Sequence, residues 1–186
     1  MPQFLKKFLS SSWEVVEVGV IAFVAVFFIR SFLVQPFLVS GASMEPTFSN
    51  GDYLLIDVLT YRFRNPERGE VIVFRYPDNE SVFFIKRIIG LPGERIVVRD
   101  GAITIYEAGG SELRRISETY LSPDVVTGGE GDITLGADEY FLMGDNRSFS
   151  FDSRNWGPAK RREVVGLVRL RILPIIKAQA FQSPAY

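Results

Sequence analysis

Ser43 stands in the loop sequence VSGASMEPTF between Gly41 and Pro46, and a hydroxyl there needs a base before it can attack anything. The chain of 186 residues has no histidine and no cysteine. That excludes thiolate nucleophiles, disulfides, Cys/His zinc sites and every triad built on imidazole. A serine can still be activated by a lysine that desolvation holds neutral. Lys86 is the candidate: in VFFIKRIIGLPGE it lies in an apolar run, and two-residue alternation puts Val82, Phe84 and Ile88 on its own face. On the strand alone Lys86 reads first as an edge lysine that blocks aggregation or snorkels to water, and Ser43 alone reads first as an ordinary turn serine. The neighbours add to the case, since Gly41 and Ala42 leave room for a substrate backbone and Pro46 stiffens the loop. A third segment, GDNRSFSFDSRNWGP, gathers Asp145, Arg147, Asp152 and Arg154 around Ser148, Ser150 and Ser153. It reads either as a solvated loop with local ion pairs or as a support that orients the pair, with a hydroxyl accepting from the lysine ammonium.

The elements that must position these residues fall into two parts. Near the start, Lys6 and Lys7 precede a run whose charge-free centre extends from Val18 to Ile29, only about 18 Å of helix. Extending it from Trp13 to about Val34 reaches the roughly 20 residues a bilayer needs, with Glu17 and Arg30 near the ends. The alternative is an amphipathic helix buried in the soluble domain. A cleaved leader is excluded on the residues that follow, since RSFLVQPF is bulky and charged with no small-x-small pair. From Asp52 onward, DYLLIDVL, EVIVFRY, VFFIKRII, ERIVVRDGAITIY, EYFLMG and EVVGLVRLRIL read as strands between turn residues, with a hairpin reversal at Arg99 to Gly101. Between Ala108 and Gly136 the Gly- and Glu-rich composition suggests an exposed excursion. With 21 basic and 22 acidic residues, the chain has no electrostatic footprint for nucleic acid.

Taken together, the segments resemble the bacterial type I signal peptidases of the Ser/Lys class. SGASMEPTF is similar to the family's nucleophile box, RGEVIVFRYP to the strand box after it, FIKRIIGLPGE to its lysine box and GDNRSFSFDSR to its C-terminal signature, all in the family's order. The resemblance implies Ser43 as nucleophile, Lys86 as general base and Ser150 as the lysine's hydrogen-bond partner. It implies Asp145, Arg147, Asp152 and Arg154 as structural supports. It also implies Phe37, Val39, Met44 and Ile85 as walls of shallow pockets that admit only small side chains. Where some members carry a serine that joins the oxyanion hole, this chain has Gly41, so the Ser43 N–H must serve, with another backbone donor.

The fold so implied is mainly β: a single N-terminal transmembrane helix followed by a mixed, mostly antiparallel catalytic sheet. Residues 1–12 are expected in the cytoplasm and 13–34 as the membrane anchor. Residues 35–186 are expected outside, with a small accessory ribbon over about 100–137. The expected function is removal of signal peptides from exported preproteins at the bacterial plasma membrane, without metal or organic cofactor. Its partners are signal peptides and the lipid bilayer, with the secretion translocon a further candidate and no nucleic acid. Two other readings stay open on the residues: a soluble Ser/Lys self-cleaving repressor, disfavoured by the anchor and the lack of a DNA-binding module, and a membrane-tethered binding module without chemistry.

Overall fold

Strand β2 (Tyr53–Asp57) buries Leu54 and Ile56 completely while the residues between them stay half-buried, the alternation of a strand with one face on a core. It pairs antiparallel with β1 (Val34–Leu38). Pro36 lies in β1, and β1 is the sheet's edge, where a strand tolerates a residue without an N–H. A second hairpin joins β3 (Val71–Tyr76) to β4 (Asn79–Gly90). The computed structural model that shows this describes residues 3–28, 34–107, 113–116, 118–122 and 124–183.

The two hairpins are not neighbours in the sheet. β11 (Val164–Leu173), the last long strand, lies between β2 and β3 and pairs antiparallel with both. On the far side of β4 come β9 (Glu139–Met143) and β10 (Ala159–Lys160), and β12 (Gln179–Ala180) pairs with β11 to complete an eight-stranded sheet. A four-stranded sheet holds β5 (Arg95–Arg99), β6 (Ala102–Tyr106), β7 (Leu113–Arg115) and β8 (Gly131–Thr134), in the order β7-β6-β5-β8. The β5–β6 reversal is a two-residue loop in which Asp100 and Gly101 have φ of 52° and 76°, the backbone of a tight hairpin whose twist suits its strands. The Gly- and Glu-rich stretch expected as an excursion thus contributes β7 and β8.

Every strand pairing among the described residues is antiparallel, which corrects the expected mixed sheet. The physical reason is connectivity: neighbouring strands are joined by reversals or by a returning strand, and no helix crosses over to make a parallel pair.

Three apolar clusters fill the interior. One, under the Ser43 loop, joins Val39, Met44, Phe48, Leu54, Ile56, Val71, Val73 and Val168. A second joins Ile72, Phe74, Ile88 and Leu142 in the large sheet. The third joins Ile96, Val98, Ile103 and Ile105 of the small sheet to Ile89, Phe141 and Met143 of the large one. The sheets meet closely at Gly90, where a Cβ would fall 2.7 Å from the Ile96 side chain.

Helix α1 (Gln3–Phe28) starts earlier than the apolar run suggests. Val34, expected as the helix end, instead opens β1, and residues 29–33, Arg30 among them, lie outside the described residues. From Trp13 to Phe27 the helix exposes its large apolar side chains, with Trp13 70%, Ile21 61% and Phe23 72% exposed. No helix among the described residues is long and apolar enough to cross a membrane. Burial of α1 against the β domain, the soluble alternative, is not seen in its described side chains.

Candidate active site

Ser43 sits half-buried in the loop between β1 and β2. The ends of the loop are closed by backbone bonds, Val39 N–H to the Asp52 carbonyl and Gly51 N–H to the Val39 carbonyl, both at 2.9 Å. Its middle is pinned by Met44 and Phe48, 1% and 0% exposed, which insert into the apolar cluster beneath. Gly41, at a φ of 101° that disfavours any residue with a Cβ, donates its N–H to Asn50 Oδ1 at 3.0 Å. The loop is therefore held from below and at both ends, and the serine rides on a fixed base.

Lys86 lies on β4 opposite Ile72 of β3. β4 emerges from the sheet at its start, where Val82 and Phe83 are exposed, and sinks into the core by Lys86, which is 3% exposed. Lys86 Nζ lies 2.8 Å from Ser43 Oγ and 3.1 Å from the Ile85 carbonyl, which accepts from it. The Phe84 ring, its centroid 5.3 Å from Nζ, covers the amine. Burial pushes the Lys86 ammonium down from 10.5 to about 8, against the pull of Asp152 and Asp145, whose charges favour the ammonium. An amine in that range is substantially neutral near pH 8 and can take a proton from the hydroxyl beside it.

The third polar segment forms the floor. Asp145, 1% exposed, accepts from Arg87 Nε at 2.8 Å and Nη2 at 2.6 Å, and from Thr47 Oγ1 at 2.6 Å. Asp152, fully buried, accepts from the Gly144 N–H at 3.0 Å and from Arg154 Nε at 2.8 Å. It also caps the short helix α2 (Ser153–Trp156). Arg154 reaches on to the Arg147 carbonyl at 2.7 Å. Arg147, 2% exposed, donates to Glu118, to Thr127 Oγ1 at 2.5 Å and to the Gly144 carbonyl at 3.1 Å. Gly144 backs directly on Ser43, since a Cβ there would fall 2.3 Å from the Ser43 carbonyl oxygen and 2.2 Å from Ser150 Oγ.

Two site expectations need correction. Ser150 does not bond the lysine: its Oγ is buried with no hydrogen-bond partner, and the bonds of the Lys86 amine go to Ser43 Oγ and the Ile85 carbonyl. Met44 does not line a pocket, because its side chain is wholly taken up by the core under the loop. Phe37, Val39 and Ile85 do line a cavity of about 100 Å³ that opens on Ser43 and Lys86, joined by Leu38, Leu54, Val73, Phe83 and Phe84. Phe37 and Phe83 meet edge to face across it at 5.6 Å.

Sequence reasoning missed Arg87, Thr47, Gly144 and Asn146. Asn146 Nδ2 donates to the Ala42 carbonyl and its N–H to the Ser43 carbonyl, both at 3.0 Å. Arg87 had a legible signal: as the residue after Lys86 on a strand it must point to the opposite face, into the body of the protein, where a guanidinium requires a buried anion. Among the described residues there is no cluster of potential metal ligands.

Comparison with known proteins places the chain in a family. A family model described as "Signal peptidase, peptidase S26" matches residues 12–173. A probable signal peptidase I-2 of Synechocystis is 34% identical over 178 residues, covering 84% of this chain and 78% of its own. A signal peptidase I of Bacillus licheniformis is 34% identical over 175 residues, covering 89% and 90%. A solved signal peptidase I from Enterococcus faecalis is 30% identical, with a TM-score of 0.47 over 56% of this chain and 97% of that one.

Proposed function

This chain belongs to the signal peptidase family, peptidase S26, serine endopeptidases that remove signal peptides, and we propose that it does so by acyl transfer through Ser43 and Lys86. The observation that carries the reading is the 2.8 Å approach of a 3% exposed lysine amine to the hydroxyl of a loop serine. Neutral Lys86 takes the Ser43 proton as Oγ attacks the scissile carbonyl carbon. The ammonium so formed protonates the departing amine, and Lys86 then activates water to release the acyl group. The Ser43 N–H, with no hydrogen-bond partner among the described residues, is the donor for the developing oxyanion. Asp145, Arg147, Asp152 and Arg154 support the site without touching the reacting atoms.

The small apolar cavity walled by Phe37, Val39 and Ile85 supports cleavage after small side chains. The exposed apolar face of α1 supports a bilayer as the surroundings of that helix. In this reading the chain is anchored once in a bacterial plasma membrane, N-terminus inside and β domain outside, where enzyme and preprotein meet at raised effective concentration.

Incubating the detergent-solubilised protein with a preprotein and reading the new N-terminus by mass spectrometry tests reaction and specificity together. A fragment beginning after a small residue is expected, and no cleavage would sink the proposal. Protease added to intact spheroplasts should digest the β domain, and digestion only after lysis would reverse the topology.

A further inference from the structure

The oxyanion donor proposed above is the N–H of the peptide unit that joins Ala42 to Ser43, and that unit is planar, so its N–H points opposite to the Ala42 carbonyl. Whatever holds the Ala42 carbonyl therefore aims the Ser43 N–H. The Ala42 carbonyl accepts from two donors: the Glu45 N–H at 3.2 Å, which closes a local turn, and Asn146 Nδ2 at 3.0 Å, which arrives from a segment 104 residues away. The next peptide unit is held by the same residue, since the Ser43 carbonyl accepts from the Asn146 N–H at 3.0 Å. Both peptide planes flanking the nucleophile are thus clamped by Asn146, one by its side chain and one by its backbone.

We infer that Asn146 is a positioning residue for the oxyanion hole: its side-chain amide sets the direction of the Ser43 N–H toward the developing charge. The inference rests on the reading of Ser43 as nucleophile. Asn146 touches no reacting atom. The need for such a clamp follows from Gly41, which supplies no hydroxyl to the hole and leaves the backbone donor to hold the charge. A preorganised donor helps only if its direction is fixed before the reaction, since reorienting it at the transition state costs part of what it contributes. The Asn146 side chain is well placed for this and for little else in stability. The backbone bond to Ser43 and the Glu45 turn bond both survive its removal, and Asp145, its neighbour, is anchored independently by Arg87 and Thr47.

The test measures kcat and KM on a signal-peptide substrate for Asn146→Ala and Asn146→Asp, beside Ser43→Ala. It also measures the affinity of a peptide aldehyde, which Ser43 converts to a tetrahedral adduct, and of an uncleavable peptide of the same sequence. Asn146→Ala should lower kcat about 10- to 100-fold with KM within about twofold. It should weaken the aldehyde in proportion and leave the uncleavable peptide unchanged. Asn146→Asp keeps the shape and the backbone bond but turns an acceptor toward a carbonyl, and its loss should equal or exceed that of alanine. If Ser43→Ala is inert while either Asn146 variant keeps the parent kcat, the clamp is wrong and the nucleophile stands. Equal weakening of aldehyde and uncleavable peptide would make Asn146 a general substrate contact and also overturn the clamp. If Ser43→Ala still cleaves, the nucleophile assignment falls first.

Discussion

Arg87 holds Asp145 with two arms of its guanidinium, Nε to Oδ1 at 2.8 Å and Nη2 to Oδ2 at 2.6 Å, and neither side chain is more than 4% exposed. Because Arg87 follows Lys86 on β4, the strand that carries Lys86 on one face carries this ion pair on the other. The pair ties β4 to the segment that holds the loop of Ser43.

Asp145→Ala leaves a buried guanidinium without its anion and removes the acceptor of Thr47. The expected cost is about 3–5 kcal/mol of stability, read as a fall in urea midpoint, with activity lost as the floor loosens. A variant with unchanged midpoint would show that the pair does not hold the floor.

Ser43→Ala and Lys86→Met should each abolish cleavage in a folded protein, and Lys86→Arg should fail as well, because arginine stays charged at any working pH. Lys86→Met has a second consequence. The lysine is held at about 8 in the fold against 10.5 unfolded, so below pH 8 the native state bears the full cost of the buried ammonium, and stability rises as pH climbs from about 8 to 10.5. The methionine variant should be more stable than the parent at pH 7 by about 3 kcal/mol. That advantage should shrink to nothing by about pH 10.5. A parent that is the more stable at pH 7 would refute it.

The apparent second-order rate constant should rise with pH through a group titrating near 8, the value to which burial brings Lys86. Asp152 is the largest of the charges that favour the ammonium. Asp152→Asn keeps the cap on α2 while removing that charge, so the acid limb should move to lower pH. Phe84→Glu, placing a carboxylate beside Nζ, should move it to higher pH. Limbs that stay put in folded, active variants would assign the titration to another group.

Substrates with Ala, Val, Leu and Phe before the scissile bond should lose cleavage in that order. The cavity at Ser43 measures about 100 Å³ and its walls, Val39, Leu54 and Val73, are themselves set in the core. Equal rates across the series would rule out a steric filter.

Much of this was readable before any coordinates. The six strand-like runs became strands because alternation and turn chemistry are local signals, and the Asp100–Gly101 reversal needs only two residues to specify it. Lys86 was conspicuous as a charge in an apolar run. What failed to show were relations between distant segments. Met44 sits beside Ser43 in sequence, yet the turn rotates its side chain into the core. Nothing in the serines around Asp152 reveals that the Ser150 hydroxyl ends up unpaired, since that depends on where β9 delivers Gly144. Val34 continues the apolar composition of the helix, yet it pairs with Asp57 of β2. Asn146 looked like one more polar residue, because its worth lies in two carbonyls that β1 and its loop bring to it.

The placement of β11 sets a clock on the enzyme. Among the described residues, the hairpin that bears Ser43 and the hairpin that bears Lys86 are joined in the sheet only by this strand, Val164–Leu173, which is made after both. While the chain is being made, Ser43 and Lys86 already exist but have no common frame to stand in. A protease so built is inactive until this strand has been made. Released chains truncated before Val164 should show no labelling by a serine-reactive acylating probe, and the 186-residue chain should label. Labelling of the shorter chains would mean that the dyad forms without its late strand.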